Sequence, residues 1–126
     1  MSSDPLFSVE DKVAVLTGAG GVLIGRMALE LARRGATVVV MDRVVDAAQQ
    51  IVENIRAGGG RAEAIIADVL DRSSLLDALG CVEESYGRCD ILVNGAGGNR
   101  KEATTSPELE FFDLPLDALR FVIDLN

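Results

Sequence analysis

The chain has 126 residues, 48% of them hydrophobic and 25% charged, with 13 glycines, which is the composition of one globular domain rather than of a disordered chain. Its net charge of −8, with 12 basic residues that form no cluster, argues against nucleic acid or an anionic membrane surface as a partner. With no histidine, a Ser-His-Asp triad and every histidine metal site are excluded, and no metal is expected.

The opening MSSDPLF lacks the basic start and apolar run of a signal peptide. No apolar run approaches the ~18 residues of a membrane span. Cys81 and Cys89 suit a reduced interior better than a disulfide scaffold, so a cytoplasmic location is expected. Each cysteine is expected to pack as a small apolar group, Cys81 on a helix and Cys89 entering a strand.

Lys12 to Thr17 is a short apolar run ended by glycines and predicts a first strand. Leu23 to Arg34 follows at helical spacing, with Ile24, Met27, Ala28 and Leu31 on one face and Gly35 as its stop. Thr37 to Met41 is a β-branched run, apolar on both faces, as a strand covered on two sides requires. A second helix is predicted from about Val44 to Ala57, halted by Gly58, Gly59 and Gly60. Ala62 to Ala67 predicts a third strand. Asp71 opens a third helix that ends near Tyr86 and Gly87, and Asp90 to Val93 predicts a fourth strand. Gly98 to Glu110 is polar and aperiodic and reads as a loop, after which Pro115 to Asn126 resumes a helical pattern. This alternation predicts an α/β fold, a Rossmann-type doubly wound parallel sheet of order 3-2-1-4.

The turn TGAGGVLIG, Thr17 to Gly25, stands where the first strand becomes the first helix. Glycines there let the backbone approach a pyrophosphate, whose charge the helix N-terminus favours. Asp42 closes the second strand, where a carboxylate can accept both hydroxyls of an adenosine ribose. Asp68 and Val69 follow the third strand, and Asn94, Gly95, Ala96 and Gly97 follow the fourth. All four strand ends thus carry small or polar residues on the sheet edge where open α/β folds bind ligands.

These motifs resemble the N-terminal half of a short-chain dehydrogenase/reductase, over residues 10 to 126. TGAGGVL and NGAGGN, followed by a polar loop and FFDL, are similar to its fructuronate or mannonate oxidoreductase branch. The resemblance implies that Gly18, Gly20, Gly21, Leu23 and Ile24 hold the pyrophosphate. It gives the adenosine ribose to Asp42, beside Arg43, and the flanks of the adenine to Asp68 and Val69. Asn94, Ala96 and Gly97 would shape the floor beside the nicotinamide ribose. Asn126 matches an active-site asparagine that supports a catalytic lysine through water. The family's turn usually reads TGxxxGxG; in an ungapped alignment Val22 and Ile24 stand at its second and third glycines. Gly25 meets the third only if one residue is inserted. NGAG replaces the commoner NNAG.

The resemblance also implies catalysis by a serine and a Tyr-x-x-x-Lys pair, the tyrosine being the acid or base during hydride transfer. The single tyrosine here, Tyr86, is followed by Asp90 at the lysine position and matches a structural turn in which an aromatic packs against the sheet. The reading is therefore that residues 1–126 are a truncated dinucleotide-binding domain without the catalytic half, inactive alone. Its parent would be an NAD-dependent oxidoreductase of a sugar acid or polyol, with NADP the less favoured cofactor and a homo-oligomeric assembly. A fifth strand would pair with the far side of the fourth. The alternative is a nucleotide-binding module without catalysis. A phosphate-accepting receiver domain is excluded, because the first strand ends in Thr17-Gly18 instead of an acidic cluster.

Overall fold

A computed structural model describes residues 5–126. Met1–Asp4, part of the opening stretch discussed above, lie outside the described residues. The chain divides into two compact units, the first ending at Gly95 and the second spanning Ala96–Asn126.

The first unit alternates β1 (Val13–Thr17), α1 (Val22–Arg33), β2 (Thr37–Asp42), α2 (Val45–Ala57), β3 (Arg61–Ile66), α3 (Arg72–Tyr86) and β4 (Ile91–Asn94). Its four strands are all parallel, in the order β3-β2-β1-β4. Alternate side chains of the central strands feed two separate cores, which is what makes the sheet doubly wound. Ala14, Leu16, Val38 and Val40 pack with Ala28 and Ala32 of α1 and Ala48, Val52 and Ile55 of α2. Val13, Val15, Val39 and Met41 pack on the other face with Ala78 and Val82 of α3. The run Val38, Val39 and Val40 is fully buried, each side chain contributing about 1.5–3 kcal/mol through loss of its water contact.

Local chemistry sets the helix ends. Asp71 caps α3 by accepting the Ser73 N–H at 2.9 Å. The chain leaves α1 through Gly35 at φ +91°, a left-handed conformation that glycine adopts without strain. At the opposite end of the sheet, Asp90 accepts the Val13 N–H at 2.8 Å and both a Nε and a Nη2 bond from Arg88, each 2.8 Å. These contacts, the Arg88 bonds foremost, hold its carboxyl below the ordinary value.

Two expectations need correction. Met27 does not belong to the buried stripe of α1: it is exposed, and the stripe is Gly25, Ala28 and Ala32, flanked by half-buried Ile24 and Leu31. These small residues bring the helix close to its neighbours and leave a long side chain at 27 outside the contact. Cys81 and Cys89 are both exposed. The buried stripe of α3 is Ala78 and Val82, and Cys81 points about 100° away from Val82. Cys89 precedes β4, with its Sγ–H directed at the Ile91 carbonyl, 3.4 Å away.

Within the second unit, the polar stretch is irregular apart from 3₁₀ turns at Lys101–Ala103 and Phe111–Asp113 and a bridge between Ser106 and Leu109. The closing helix, α4, spans Leu116–Leu125. Among the described residues, no helix is long and apolar enough to cross a membrane.

Candidate functional site

The strand register aligns the carboxyl ends of the first unit's sheet. Thr17 stands opposite both Met41 and Asn94, and Met41 opposite Ile65. Asp42 and Asn94, the last residues of β2 and β4, and Gly18 and Asp68, just past β1 and β3, therefore lie along one edge of the sheet.

The first of these loops has the form of an anion cradle. Gly18 turns the chain at φ +66°, a conformation that strains residues carrying a Cβ. The Gly21 N–H then donates back to the Gly18 carbonyl at 3.2 Å. Gly21 is the N-cap of α1 and supplies no side-chain cap. The helical ladder begins with the Gly25 N–H on the Gly21 carbonyl at 2.9 Å. The N–H groups of Val22, Leu23 and Ile24 precede that ladder, and no acidic residue in the first turn opposes an incoming anion. Backbone donors, the helix dipole and missing side chains are the features that fit a pyrophosphate.

The carboxylate of Asp42 is tied to this loop. Its Oδ2 accepts the Gly20 N–H at 2.9 Å, and its Oδ1 accepts the Val44 N–H at 2.9 Å. Each oxygen keeps a lone pair for a further donor, as recognition of a ribose diol requires. Gly20 is needed for this approach: a Cβ there would lie 2.8 Å from the Ala47 Cβ and 2.9 Å from Asp42 Oδ2. Arg43, next in sequence, is exposed.

Gly25 meets the requirement for close helix packing. A Cβ on it would lie 2.7 Å from Ile51 Cδ1 of α2 and 3.1 Å from the Ala19 carbonyl. The packing glycine therefore falls one residue later than an ungapped alignment places it, as the alternative with one inserted residue expects. Val22 and Leu23 are 95% and 73% exposed, so neither position is crowded enough to demand glycine.

On the neighbouring loop, Asp68 accepts the Leu70 N–H at 2.9 Å through Oδ1, and its own N–H donates to Ser74 Oγ at 3.0 Å. The Ala67 N–H donates to the Asp42 carbonyl at 3.1 Å and joins this loop to the end of β2. Val69 is half-buried beside it. At the end of β4, Asn94 is exposed, and the following Gly95 N–H donates to Thr17 Oγ1 at 3.1 Å. Thr17 and Gly95 were not singled out by role from the sequence, although both lie inside its motifs; their contact joins segments far apart in the chain.

The first unit thus brings Gly18, Gly20, Gly21, Leu23, Ile24, Asp42, Arg43, Asp68, Val69 and Asn94 to one sheet edge. Ala96 and Gly97 open the second unit. There the Asn126 side chain pairs with the Gly98 peptide, accepting its N–H at 3.1 Å and donating to its carbonyl at 2.8 Å. The same amide donates to the Val122 carbonyl at 2.7 Å. A Cβ on Gly97 would lie 2.7 Å from Asn126 Oδ1, so this position also has no room for a side chain.

Tyr86 sits elsewhere, packed against the α3 core, with its hydroxyl donating to Glu63 Oε2 at 2.7 Å. Burial, then the bond to Glu63 and its negative charge, push its pKa up to about 12. Such a phenol is a structural group near neutral pH, in agreement with the turn role expected of it.

Comparisons with known proteins bear on this geometry. The family model described as short chain dehydrogenase matches residues 12–126. An uncharacterized oxidoreductase of Haemophilus influenzae is 36% identical over 129 residues, covering 94% of this chain and 45% of that protein. The uncharacterized oxidoreductase UxuB of Bacillus subtilis is 47% identical over 97 residues, covering 77% of this chain and 35% of the relative. A solved structure with bound NAD, described as a candidate D-mannonate oxidoreductase from Haemophilus influenzae, superposes with a TM-score of 0.86 at 36% identity. It covers 92% of this chain and 45% of that one. The chain thus spans less than half the length of these relatives. A doubly wound sheet, a glycine turn opening α1 and a family match across both units place the chain in the short-chain dehydrogenase/reductase family of oxidoreductases.

Proposed function

We propose that residues 1–126 form the cofactor-binding part of an NAD-dependent oxidoreductase acting on a sugar acid or polyol. The observation that carries this reading is the pairing of the Gly18–Gly21 turn with the Asp42 carboxylate at the edge of the sheet. In this reading the first-turn N–H groups of α1 hold the pyrophosphate, with Leu23 and Ile24 beside it, and Asp42 accepts the adenosine ribose hydroxyls. Asp68 and Val69 flank the adenine. Asn94, Ala96 and Gly97 line the nicotinamide ribose, and Asn126 supports a catalytic lysine. The bound nicotinamide supplies a hydride acceptor or donor. Asp42 also sets the preference for NAD over NADP, because its charge opposes a 2′-phosphate; exposed Arg43 moderates that opposition.

The substrate class is supported by the description of the NAD-bound relative as a candidate D-mannonate oxidoreductase. A cytoplasmic homo-oligomer is the assembly proposed. Residues 1–126 supply no Tyr-x-x-x-Lys pair, and Tyr86 is committed to Glu63. This supports binding without turnover by these residues alone, and it also favours the second reading, a nucleotide-binding module without catalysis. Titration with NAD and NADP, followed by an assay with sugar acids and polyols, tests the proposal. Expected are binding that favours NAD and no NADH production by residues 1–126; failure to bind either dinucleotide overturns it. The same assay on any longer parent chain separates the two readings, since only the enzyme turns over.

A further inference from the structure

Gly95 follows β4 and has no space for a side chain. A Cβ built on it would overlap Ile24 Cγ1, lie 2.6 Å from Ile24 Cδ1 and sit 2.7 Å from the Thr17 carbonyl oxygen. Ile24 belongs to the first turn of α1, and Thr17 is the residue that leads into Gly18. The Gly95 N–H also donates to Thr17 Oγ1 at 3.1 Å. The end of β4 therefore touches both limbs of the Thr17–Ile24 turn. We propose that Ile24 and Gly95 are an interlocked pair of positioning residues, the isoleucine filling the volume that a side chain at 95 would take and so fixing the turn for dinucleotide binding.

The proposal rests on the dinucleotide reading above and extends it to Gly95, which acts through Ile24, the residue already placed beside the pyrophosphate. Close-packed groups cannot both occupy this space, so a Cβ at 95 must displace Ile24, the Thr17 carbonyl or both. Displacing the Ile24 side chain presses on the first turn of α1, which supplies N–H donors. Displacing Thr17 moves the left-handed residue beside it.

The test is a double-mutant cycle on the 126-residue chain with Gly95→Ala, Ile24→Ala and both together, reading NAD dissociation constants and Tm. Gly95→Ala is expected to weaken NAD binding by about tenfold, equivalent to about 1.4 kcal/mol. The double variant should recover part of that loss, incompletely because the Thr17 carbonyl contact persists. Ile55→Val, buried in α2 away from the turn, is the control for general destabilisation: it should lower Tm and leave NAD affinity unchanged. Additive effects in the cycle, or a Gly95→Ala chain that binds NAD as the parent does, would overturn the proposal. Parallel losses of affinity in Ile55→Val would do so too, by reducing the effect to stability. No NAD binding by the parent would instead refute the dinucleotide reading and the positioning role with it.

Discussion

The Gly20 N–H donates to Asp42 Oδ2 at 2.9 Å, so the acid at the end of β2 holds the glycine turn after β1. Asp42 thereby has a structural task alongside its proposed ribose contact, and the two can be separated. Replacement by Ala removes both: NAD and NADP should each bind more weakly, and the NAD/NADP preference should narrow by an amount on the order of 1–3 kcal/mol. Replacement by Asn keeps an acceptor for one backbone N–H while removing the charge, so it should narrow the preference with less loss of turn stability. Paired titrations with both dinucleotides check this, and an unchanged ratio removes Asp42 from the site.

Residues 1–126 should bind NAD without oxidising a sugar acid or polyol. Without an acid-base group at the substrate oxygen, the proton transfer is unassisted, a loss of about 10²–10⁴ in rate. Asn126, bonded to the Gly98 peptide and Val122, supplies neither acid nor base. Robust NADH production by the purified chain would show that a proton carrier has been overlooked.

The parts of this architecture legible in the sequence are those written locally. Val38 to Val40 announces a strand buried on both faces, and Asp71 with Ser73 marks the start of a helix, because burial and capping act over a few residues. The strand order follows from the handedness of the crossovers. What local reading misses depends on contacts between distant segments. The sequence of the turn leaves open whether Ile24 or Gly25 is the packing glycine's position; Ile51 on another helix decides it. The contact of Gly95 with Ile24 is likewise invisible until β4 lies beside β1. Met27 and the two cysteines show the converse limit, since apolar character alone does not fix which side of a helix or loop faces the core.

Tyr86 provides a clean spectroscopic test of the α3 packing, being the only tyrosine in a chain without tryptophan. Its phenolate absorbance should rise with a midpoint near 12 in the folded chain, because burial and Glu63 both oppose ionisation. The unfolded phenol ionises near 10. A folded-state pKa raised above the unfolded one gives stability that is complete below about pH 10 and lost as pH rises toward 12. Tyr86→Phe should lose the bond to Glu63 and flatten this alkaline limb in Tm measurements. A midpoint at the unfolded value in the native chain would refute the Glu63 contact.

The last prediction concerns β4, which ends the sheet order and pairs only with β1 among the described residues. Its neighbouring side chains point alternately inward and outward: Ile91 and Val93 contact the α1/α2 core, whereas Leu92 is 59% exposed. A sheet edge with free backbone donors and acceptors is a template for another strand, and an exposed leucine adds apolar area to the contact. The family resemblance expects a fifth strand on this side. The 126-residue chain should therefore self-associate as its concentration rises, in sedimentation experiments. Leu92→Lys should shift the chain toward monomer, because a charged side chain opposes edge pairing while leaving inward-facing Ile91 and Val93 unchanged. Equal association by both chains would assign the contact to another surface; a monodisperse monomer at high concentration would show that the β4 edge is protected.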